Sequence, residues 1–194
     1  MSSFPIILAS SSPFRKALLE RLQIPFDVEV PGIDESPRPG ETPQAYVERL
    51  AVEKAHAVAA RHPRALVIGS DQTAVHGDEI VGKPVDHDDA VRQLQHASGG
   101  TVTLYTALAL VNTETGQIQS DVVPFTVHFR RFDRDTIERY LDREKPYGCA
   151  GSLRAEGLGI ALLRKFEGDD PNALIGLPLI RLVDMLESEG VRVP

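Results

Sequence analysis

The sequence contains a single cysteine, Cys149. One cysteine can form neither an intramolecular disulfide nor a cysteine zinc cluster, so both are excluded as supports for the fold. Such sparing use of cysteine suits a reducing compartment, and we expect a cytoplasmic protein. Because Cys149 lies in a run of small residues, we expect it to be packed rather than to act as a nucleophile.

Long hydrophobic runs are also missing. No apolar run approaches the roughly 20 residues that a membrane-spanning helix needs. No charged segment followed by a long apolar run opens the chain, so we expect no signal peptide. Positive charge is scarce, with 21 Lys and Arg against 28 Asp and Glu and a net charge of −7. We therefore expect neither a membrane nor a nucleic acid as a partner, and any phosphate site must depend on local cations.

Two familiar motifs do not occur. The histidines lack the His-Glu-x-x-His spacing of a zinc site, and Gly82-Lys83 does not belong to a Walker A loop. The rest of the composition, with 42% hydrophobic and 25% charged residues, is ordinary for a globular protein. A length of 194 residues fits one domain, or one domain with two lobes.

Apolar periodicity alternates between strand and helix along the chain. Strands are predicted at 6–9, 26–30, 65–69 with a continuation over 72–76, and 159–166, with a hairpin formed by 101–113 and 117–130. Helices are predicted at 13–22, 42–61, 88–97, 133–143 and 177–189. Strands separated by helices, together with a hairpin, predict an α/β fold with a mixed sheet. No stretch resembles a flexible linker, so no clean domain boundary is expected.

The first strand leads into a turn rich in hydroxyl groups, Ser10-Ser11-Ser12. Pro13 suits the first turn of a helix, and the serine before it can cap that helix. Arg15 and Lys16 place two cations beside free backbone N–H groups, which is typical of a phosphate-binding corner. An ordinary capped helix with solvated cations explains the same residues equally well.

Acidic residues follow two of the predicted strands. Asp34 and Glu35 can hold a divalent cation or orient water, or they form an exposed acidic turn. Asp71 follows an apolar strand that ends in Gly69-Ser70, where a carboxylate is fixed by the sheet yet open to a cleft. Such a carboxylate can act as a general base or bind Mg²⁺, although it can also be a turn aspartate.

Two further charged residues lie in glycine-containing segments. Lys83 projects from Gly82-Lys83-Pro84, where glycine permits close approach of a ligand and lysine suits a phosphate. Glu156 lies in the glycine-rich stretch 147–159 and can accept hydrogen bonds from the N–H groups of a base. A β-turn with a solvated lysine and a plain surface glutamate are the alternatives.

The order of these motifs resembles that of the Maf family of nucleotide pyrophosphatases. The matching motifs cover essentially the whole chain and lie at 9–15, 34–35, 53–55, 69–71, 82–84, 150–152 and 176–178. The segments 69–72 and 149–152 and residue Glu156 are similar to the subfamily associated with 7-methyl-GTP. Phe14 stands where that subfamily has tryptophan, and it offers a weaker platform for stacking against a cationic methylated purine.

The resemblance implies a single domain over 1–194 with a fold like that of inosine triphosphatases, in which a twisted mixed sheet is flanked by helices and two lobes border a central cleft. It implies hydrolysis of a nucleoside triphosphate between its α- and β-phosphates, above all 7-methyl-GTP, yielding the monophosphate and pyrophosphate. It further implies a divalent cation, Mg²⁺ or Mn²⁺, and a homodimer.

The resemblance also implies roles for individual residues. Asp71 is expected to be the general base, and Glu35 with Asp71 to hold the cation. The expected substrate-binding residues are Ser10, Phe14, Arg15, Lys54, Gln72, Lys83 and Glu156. The alternatives are a pyrophosphatase for dTTP and UTP or for a broader set of nucleotides, an inosine-triphosphatase-like activity, and a non-catalytic nucleotide sensor that restrains septum formation.

Overall fold

The computed structural model describes residues 4–193, so Met1–Ser3 and Pro194 of the predicted domain 1–194 lie outside the described residues. Strands β1 to β7 span Ile6–Ala9, Asp27–Glu29, Leu66–His76, Glu79–Val81, Thr101–Asn112, Ile118–Phe129 and Leu163–Glu167. Helices α1 to α6 span Pro13–Glu20, Pro43–Ala59, His87–Ala97, Arg134–Glu144, Pro171–Ile175 and Leu179–Ser188. None of these helices is long and apolar enough to cross a membrane.

The strands form one seven-stranded sheet in the order β2-β1-β3-β5-β6-β7, with β4 paired to β3. β1 runs parallel to both β2 and β3, whereas β4 and β7 are antiparallel to their neighbours β3 and β6. These pairings confirm the predicted α/β fold with a mixed sheet. β1 is buried along its whole length, which explains its uninterrupted apolar sequence.

Helix starts agree with the capping residues read from the sequence. The Ser12 hydroxyl accepts a hydrogen bond from the Arg15 backbone N–H at 3.3 Å, and Pro13 occupies the first helical position of α1. Thr42 caps α2 in the same way, through the Ala45 backbone N–H at 3.2 Å. Both caps satisfy backbone donors that the helix itself leaves unpaired.

Several predicted boundaries are wrong. The predicted continuation of the strand 65–69 over 72–76 is confirmed, but β3 is unbroken between them, so Asp71 lies inside a strand rather than at its end. The predicted strand 159–166 begins only at Leu163, because 158–162 forms a short 3₁₀ turn. A Cβ atom at Gly159 would lie 2.5 Å from the Arg154 carbonyl oxygen, and this close approach marks a turn rather than an extended chain. The short elements β4 and α5 were not predicted.

The chain divides into two compact units. The first contains the described residues of Met1–Gln72, Thr106–Val123 and Asp170–Pro194, and the second contains Thr73–Tyr105 and Pro124–Asp169. Three of the four boundaries fall inside β3, β5 and β6, which explains why no linker is visible in the sequence. The central cleft implied by the family resemblance stays a prediction.

The core of the first unit is built on one face of its strands. Side chains of β1, β3 and β5 pack there against α1 and α6, and Leu8, Leu19, Ile68, Leu108 and Leu182 are among the fully buried members. This apolar contact fixes α1, and so places its N-terminal turn beyond the end of β1.

Candidate active site

β3 presents the segment 69–72 with side chains that alternate between the two faces of the sheet. Gly69 and Asp71 face α2, because a Cβ atom at Gly69 would lie 2.0 Å from the Ala51 carbonyl oxygen and Asp71 contacts Lys54. Ser70 and Gln72 face the other way, where Gln72 contacts the backbone of α5 and Ser70 contacts the Gly176 carbonyl just beyond it. One motif therefore supplies polar groups to two clusters, and the Gly176 carbonyl connects them because it accepts hydrogen bonds from both Ser70 and Arg15.

Lys54 of α2 lies between two carboxylates. Its Nζ atom is 2.6 Å from Asp71 Oδ1 and 2.9 Å from Glu35 Oε1. The Lys54 and Asp71 side chains are only 7% and 10% exposed, whereas Glu35 is 56% exposed. The structure thus brings Glu35, Lys54 and Asp71 together, and the charges interact more strongly where water is excluded.

Burial raises the pKa of Asp71 above its ordinary value of 3.8, and the negative charge of Glu35 raises it further. The positive charges of Lys54 and Arg15 lower the pKa of Asp71, but less than these opposing influences raise it. A carboxylate with a raised pKa is a stronger proton acceptor, so the surroundings of Asp71 favour a role as a base.

Arg15 joins this cluster from the first turn of α1. Its Nε atom donates a hydrogen bond to the Gly176 carbonyl oxygen at 2.8 Å. Burial lowers the pKa of the guanidinium, whereas the carboxylates of Asp71 and Glu35 raise it. Lys16 does not share this position, because it pairs with Glu20 on the exposed side of α1.

Ser10 and Phe14 border the same turn. Ser10 is buried, and its hydroxyl accepts a hydrogen bond from the Ser12 backbone N–H at 3.1 Å. Ala9 of β1 pairs with Gly69 of β3. Ser10, the next residue after Ala9, therefore lies close to the Ser70-Asp71 segment, which follows Gly69. Phe14 is half-buried in the first turn of α1.

Gln72 lies in the second polar cluster of β3. Its amide nitrogen contacts Thr106 Oγ1 at 2.8 Å, the Ala173 carbonyl at 2.6 Å and the Leu174 carbonyl at 3.2 Å. These are all acceptors, because the Thr106 hydroxyl donates its own proton to Ala173. The amide nitrogen of Gln72 is therefore committed to the protein, and the part of Gln72 in base selection stays a prediction.

The two carboxylates of the acidic turn, Asp34 and Glu35, make different contacts. Asp34 accepts hydrogen bonds from the backbone N–H and the hydroxyl of Ser36, so it closes a local turn. These hydrogen bonds lower the pKa of Asp34. Only Glu35 reaches Lys54, and the sequence alone could not separate the two neighbours.

The second unit carries Lys83 and Glu156. Lys83 is exposed in the loop after β4, and the Gly82 carbonyl beside it accepts a hydrogen bond from the Gly151 backbone N–H at 3.1 Å. Glu156 is exposed, with its Oε1 atom 3.5 Å from Arg154 Nε. Cys149 is half-buried, and burial raises the pKa of its thiol, so its lack of reactivity stays a prediction.

Comparison with known proteins agrees with this arrangement of motifs. The family model described as Maf-like protein matches residues 5–189. The chain belongs to the Maf family. Similar proteins occur in Pseudomonas syringae pv. tomato (58% identical over 97% of this chain and 98% of the relative), Nitrosococcus oceani (56%, 95% and 93%) and Pseudomonas aeruginosa (54%, 97% and 98%). Each of these relatives is named 7-methyl-GTP pyrophosphatase.

The donor set of this Maf protein fits a hard divalent cation. Glu35 and Asp71 offer carboxylate oxygens within one cluster. Within residues 4–193, no three His, Cys, Asp or Glu side chains form a cage for a metal. Mg²⁺ needs no such cage where one or two carboxylates, substrate phosphates and water complete its shell.

Two residues that sequence reasoning missed contact the segment that carries Glu35. The Tyr46 hydroxyl donates to the Glu35 carbonyl oxygen, and Arg49 donates to the Ser36 carbonyl oxygen. Both lie on α2, three positions apart, so the helical periodicity that placed α2 could also have placed them on one face. Nothing in the sequence alone indicates what that face contacts.

Proposed function

We propose that this Maf protein hydrolyses a nucleoside triphosphate between its α- and β-phosphates, with 7-methyl-GTP as the preferred substrate. The observation that carries the proposal is the cluster in which Lys54 lies between Asp71 and Glu35, with Arg15 close enough to act on both carboxylates. The name shared by these relatives supports the choice of 7-methyl-GTP.

Substrate binding depends on local cations, because the whole chain carries a net charge of −7. Arg15 and Lys54 neutralise the triphosphate in this proposal, and Lys83 is proposed as a further cation for the phosphates. The Ser10 hydroxyl and the backbone N–H groups that begin α1 assist them. Charge neutralisation and positioning are the main requirements of phosphoryl and nucleotidyl transfer.

Asp71 accepts a proton from the attacking water. The water oxygen bonds to the α-phosphorus, the bond from that phosphorus to the bridging oxygen breaks, and pyrophosphate leaves with the electron pair. Glu35 and Asp71 would hold Mg²⁺ or Mn²⁺, and the bound cation would neutralise negative charge on the phosphates.

The single cysteine supports a cytoplasmic location. The family resemblance supports a homodimer, and size-exclusion chromatography can test this oligomeric state.

Base selection is assigned to Phe14, Gln72 and Glu156. The Phe14 ring can stack on the methylated purine, whose positive charge strengthens the contact by roughly 0.5–2 kcal/mol. A carboxylate at Glu156 suits the N1–H and exocyclic amine of guanine, because a carboxylate only accepts hydrogen bonds at neutral pH.

Glu156→Gln is expected to move the preference away from guanine nucleotides. We expect the ratio of kcat/KM for 7-methyl-GTP to that for UTP to fall about tenfold, since a charge-assisted hydrogen bond becomes a neutral one. Glu167→Gln, at an exposed position of the same unit, serves as the matched control. An unchanged ratio in Glu156→Gln would remove Glu156 from base selection.

The pH profile of kcat/KM should have an acidic limb above the range of an ordinary aspartate. The pKa of Asp71 is raised by burial, so protonation removes the base at a pH where an exposed carboxylate is still ionised. Activity is therefore expected to fall as the pH drops through the raised pKa of Asp71. Initial rates measured across acidic to neutral pH check this, and a limb at the ordinary value of 3.8 would contradict it.

A panel of nucleoside triphosphates with Mg²⁺, assayed for pyrophosphate and for orthophosphate, tests the proposed function. Pyrophosphate release that is fastest from 7-methyl-GTP is the expected result. A preference for UTP or dTTP would assign a different substrate, and orthophosphate release would indicate cleavage of another bond. Binding without any release would favour a nucleotide sensor.

A further inference from the structure

The position of the Glu35 side chain needs an explanation, because Glu35 lies outside every helix and strand. Residues 30–38 form neither helix nor strand, and the Glu35 side chain is 56% exposed. Its Oε1 atom nevertheless lies 2.9 Å from the buried Nζ atom of Lys54. Holding an exposed irregular segment in one conformation costs conformational entropy. Other contacts must therefore fix the backbone of this segment.

The first such contact comes from Tyr46. Its hydroxyl donates a hydrogen bond to the Glu35 carbonyl oxygen at 2.8 Å. The Tyr46 side chain also interacts electrostatically with the charged cluster. Burial raises the pKa of its phenol, and the negative charges of Asp71 and Glu35 raise that pKa further. Tyr46 therefore fixes the backbone of the residue whose carboxylate enters the cluster.

The second contact comes from Arg49, whose side chain is only 13% exposed. Its Nη2 atom donates to the Ser36 carbonyl oxygen at 3.2 Å and to Glu41 Oε2 at 2.8 Å. Its Nη1 atom donates to Glu53 at 3.0 Å, which anchors the guanidinium on α2. One planar group thus connects both ends of the segment 36–41 to the helix.

Tyr46, Arg49 and Glu53 lie on one face of α2, at positions i, i+3 and i+7. The guanidinium carbon of Arg49 lies 5.6 Å from the centre of the Tyr46 ring. Lys54 belongs to the same helix, and its neighbours Ala51 and Ala55 pack closely against Gly69 of β3. α2 therefore carries both Lys54 and the side chains that hold the segment opposite Lys54.

We propose that Tyr46 and Arg49 are positioning residues, which hold the Glu35 carboxylate at the Lys54–Asp71 pair through the backbone carbonyls of Glu35 and Ser36. The importance of that position for turnover rests on the proposed function. Neither residue touches the substrate in this proposal, so both act only through Glu35.

Hydrogen exchange tests the contacts without reference to activity. In Tyr46→Phe and in Arg49→Lys, the hydrogen-bonded amides of Ser36, Arg38 and Glu41 should exchange about fivefold faster, the factor that corresponds to one ordinary hydrogen bond. Arg92→Lys, which changes an exposed arginine on α3 that pairs with Asp89, is the matched control and should leave these amides unchanged. Unchanged exchange in both test variants would overturn the proposal.

A double-mutant cycle with Glu35→Gln tests whether the two residues act through Glu35. Tyr46→Phe alone should raise the Mg²⁺ concentration for half-maximal activity about fivefold and weaken Mn²⁺ binding, measured by electron paramagnetic resonance, to a similar extent. The same change in the Glu35→Gln background should have no further effect on either quantity, because the group to be positioned has been replaced.

Additive effects in this cycle would show that Tyr46 acts elsewhere and would overturn the proposal. Arg49→Lys should behave like Tyr46→Phe, since lysine keeps the charge but loses the planar fork. If the unmodified protein released pyrophosphate from no nucleotide, the proposed function would fail, while the exchange and Mn²⁺ measurements would still decide the positioning role.

Discussion

Asp71→Asn is expected to lower kcat roughly a thousandfold, within the range that a positioned general base contributes. Asparagine keeps the size and shape of the side chain but cannot accept the proton of the attacking water. Asp71 lies in the middle of β3, where its backbone is fixed by strand pairing, so the geometry around it should persist. Initial rates of pyrophosphate release at saturating 7-methyl-GTP measure the loss.

The fold should survive this substitution because two effects on stability oppose each other. Lys54 loses one of its two carboxylate partners, but Glu35 remains 2.9 Å from its Nζ atom. At the same time the cost of burying the charge of Asp71, which is the main cause of its raised pKa, disappears. We therefore expect the melting temperature of Asp71→Asn to stay close to that of the unmodified protein.

Asp121→Asn provides the matched control for this experiment. Asp121 is 46% exposed and pairs with Arg181 at 2.8 Å on the surface of the same unit. The control should keep full activity, since a surface ion pair contributes at most about 1 kcal/mol. Turnover by Asp71→Asn at the unmodified rate would exclude Asp71 as the base.

Gly69→Ala should destabilise the protein by about 3 kcal/mol or more, at the upper end of the cost of overpacking a core. The added Cβ atom would lie 2.0 Å from the Ala51 carbonyl oxygen and 2.9 Å from the Ala55 backbone nitrogen. Both are backbone atoms of α2, so relief requires a shift of the helix rather than of one side chain. Such a shift would also separate Lys54 from Asp71, so turnover should fall together with stability.

Unfolding in urea, followed by circular dichroism, measures this change in the free energy of unfolding. Gly148→Ala is the control, because its Cβ atom would meet no atom within 4 Å and its backbone conformation is open to any residue. Equal stability of Gly69→Ala and the unmodified protein would show that α2 and β3 can separate without cost.

Local chemistry accounts for what could be predicted correctly. Ser12 and Thr42 each precede a proline, and caps of this kind depend only on neighbours within one turn. The apolar runs of β1 and β3 reflect burial on both faces of a sheet. The short elements β4 and α5 escaped prediction, because they lie among glycine, aspartate and proline residues and have no extended apolar pattern of their own.

Strand pleat explains why the site was only partly foreseen. Asp71 and Gln72 are neighbours in the chain, yet they face opposite sides of β3 and enter different polar clusters. Asp34 and Glu35 are also neighbours, yet only Glu35 reaches Lys54. A sequence records adjacency along the chain, whereas the direction of each side chain depends on the element that carries it.

The sequence by itself determined the α/β class, the caps of the first two helices and the order of motifs that places the chain in the Maf family. Only the tertiary structure decided which charged groups meet: Arg15 and the Gly176 carbonyl are 161 positions apart in the chain, and Lys54 meets Asp71 because Gly69 lets α2 approach β3 closely. Short-range structure follows from hydrogen bonds and rotamers within a few residues. Contacts across the chain depend on how whole helices and strands pack, which no local pattern specifies.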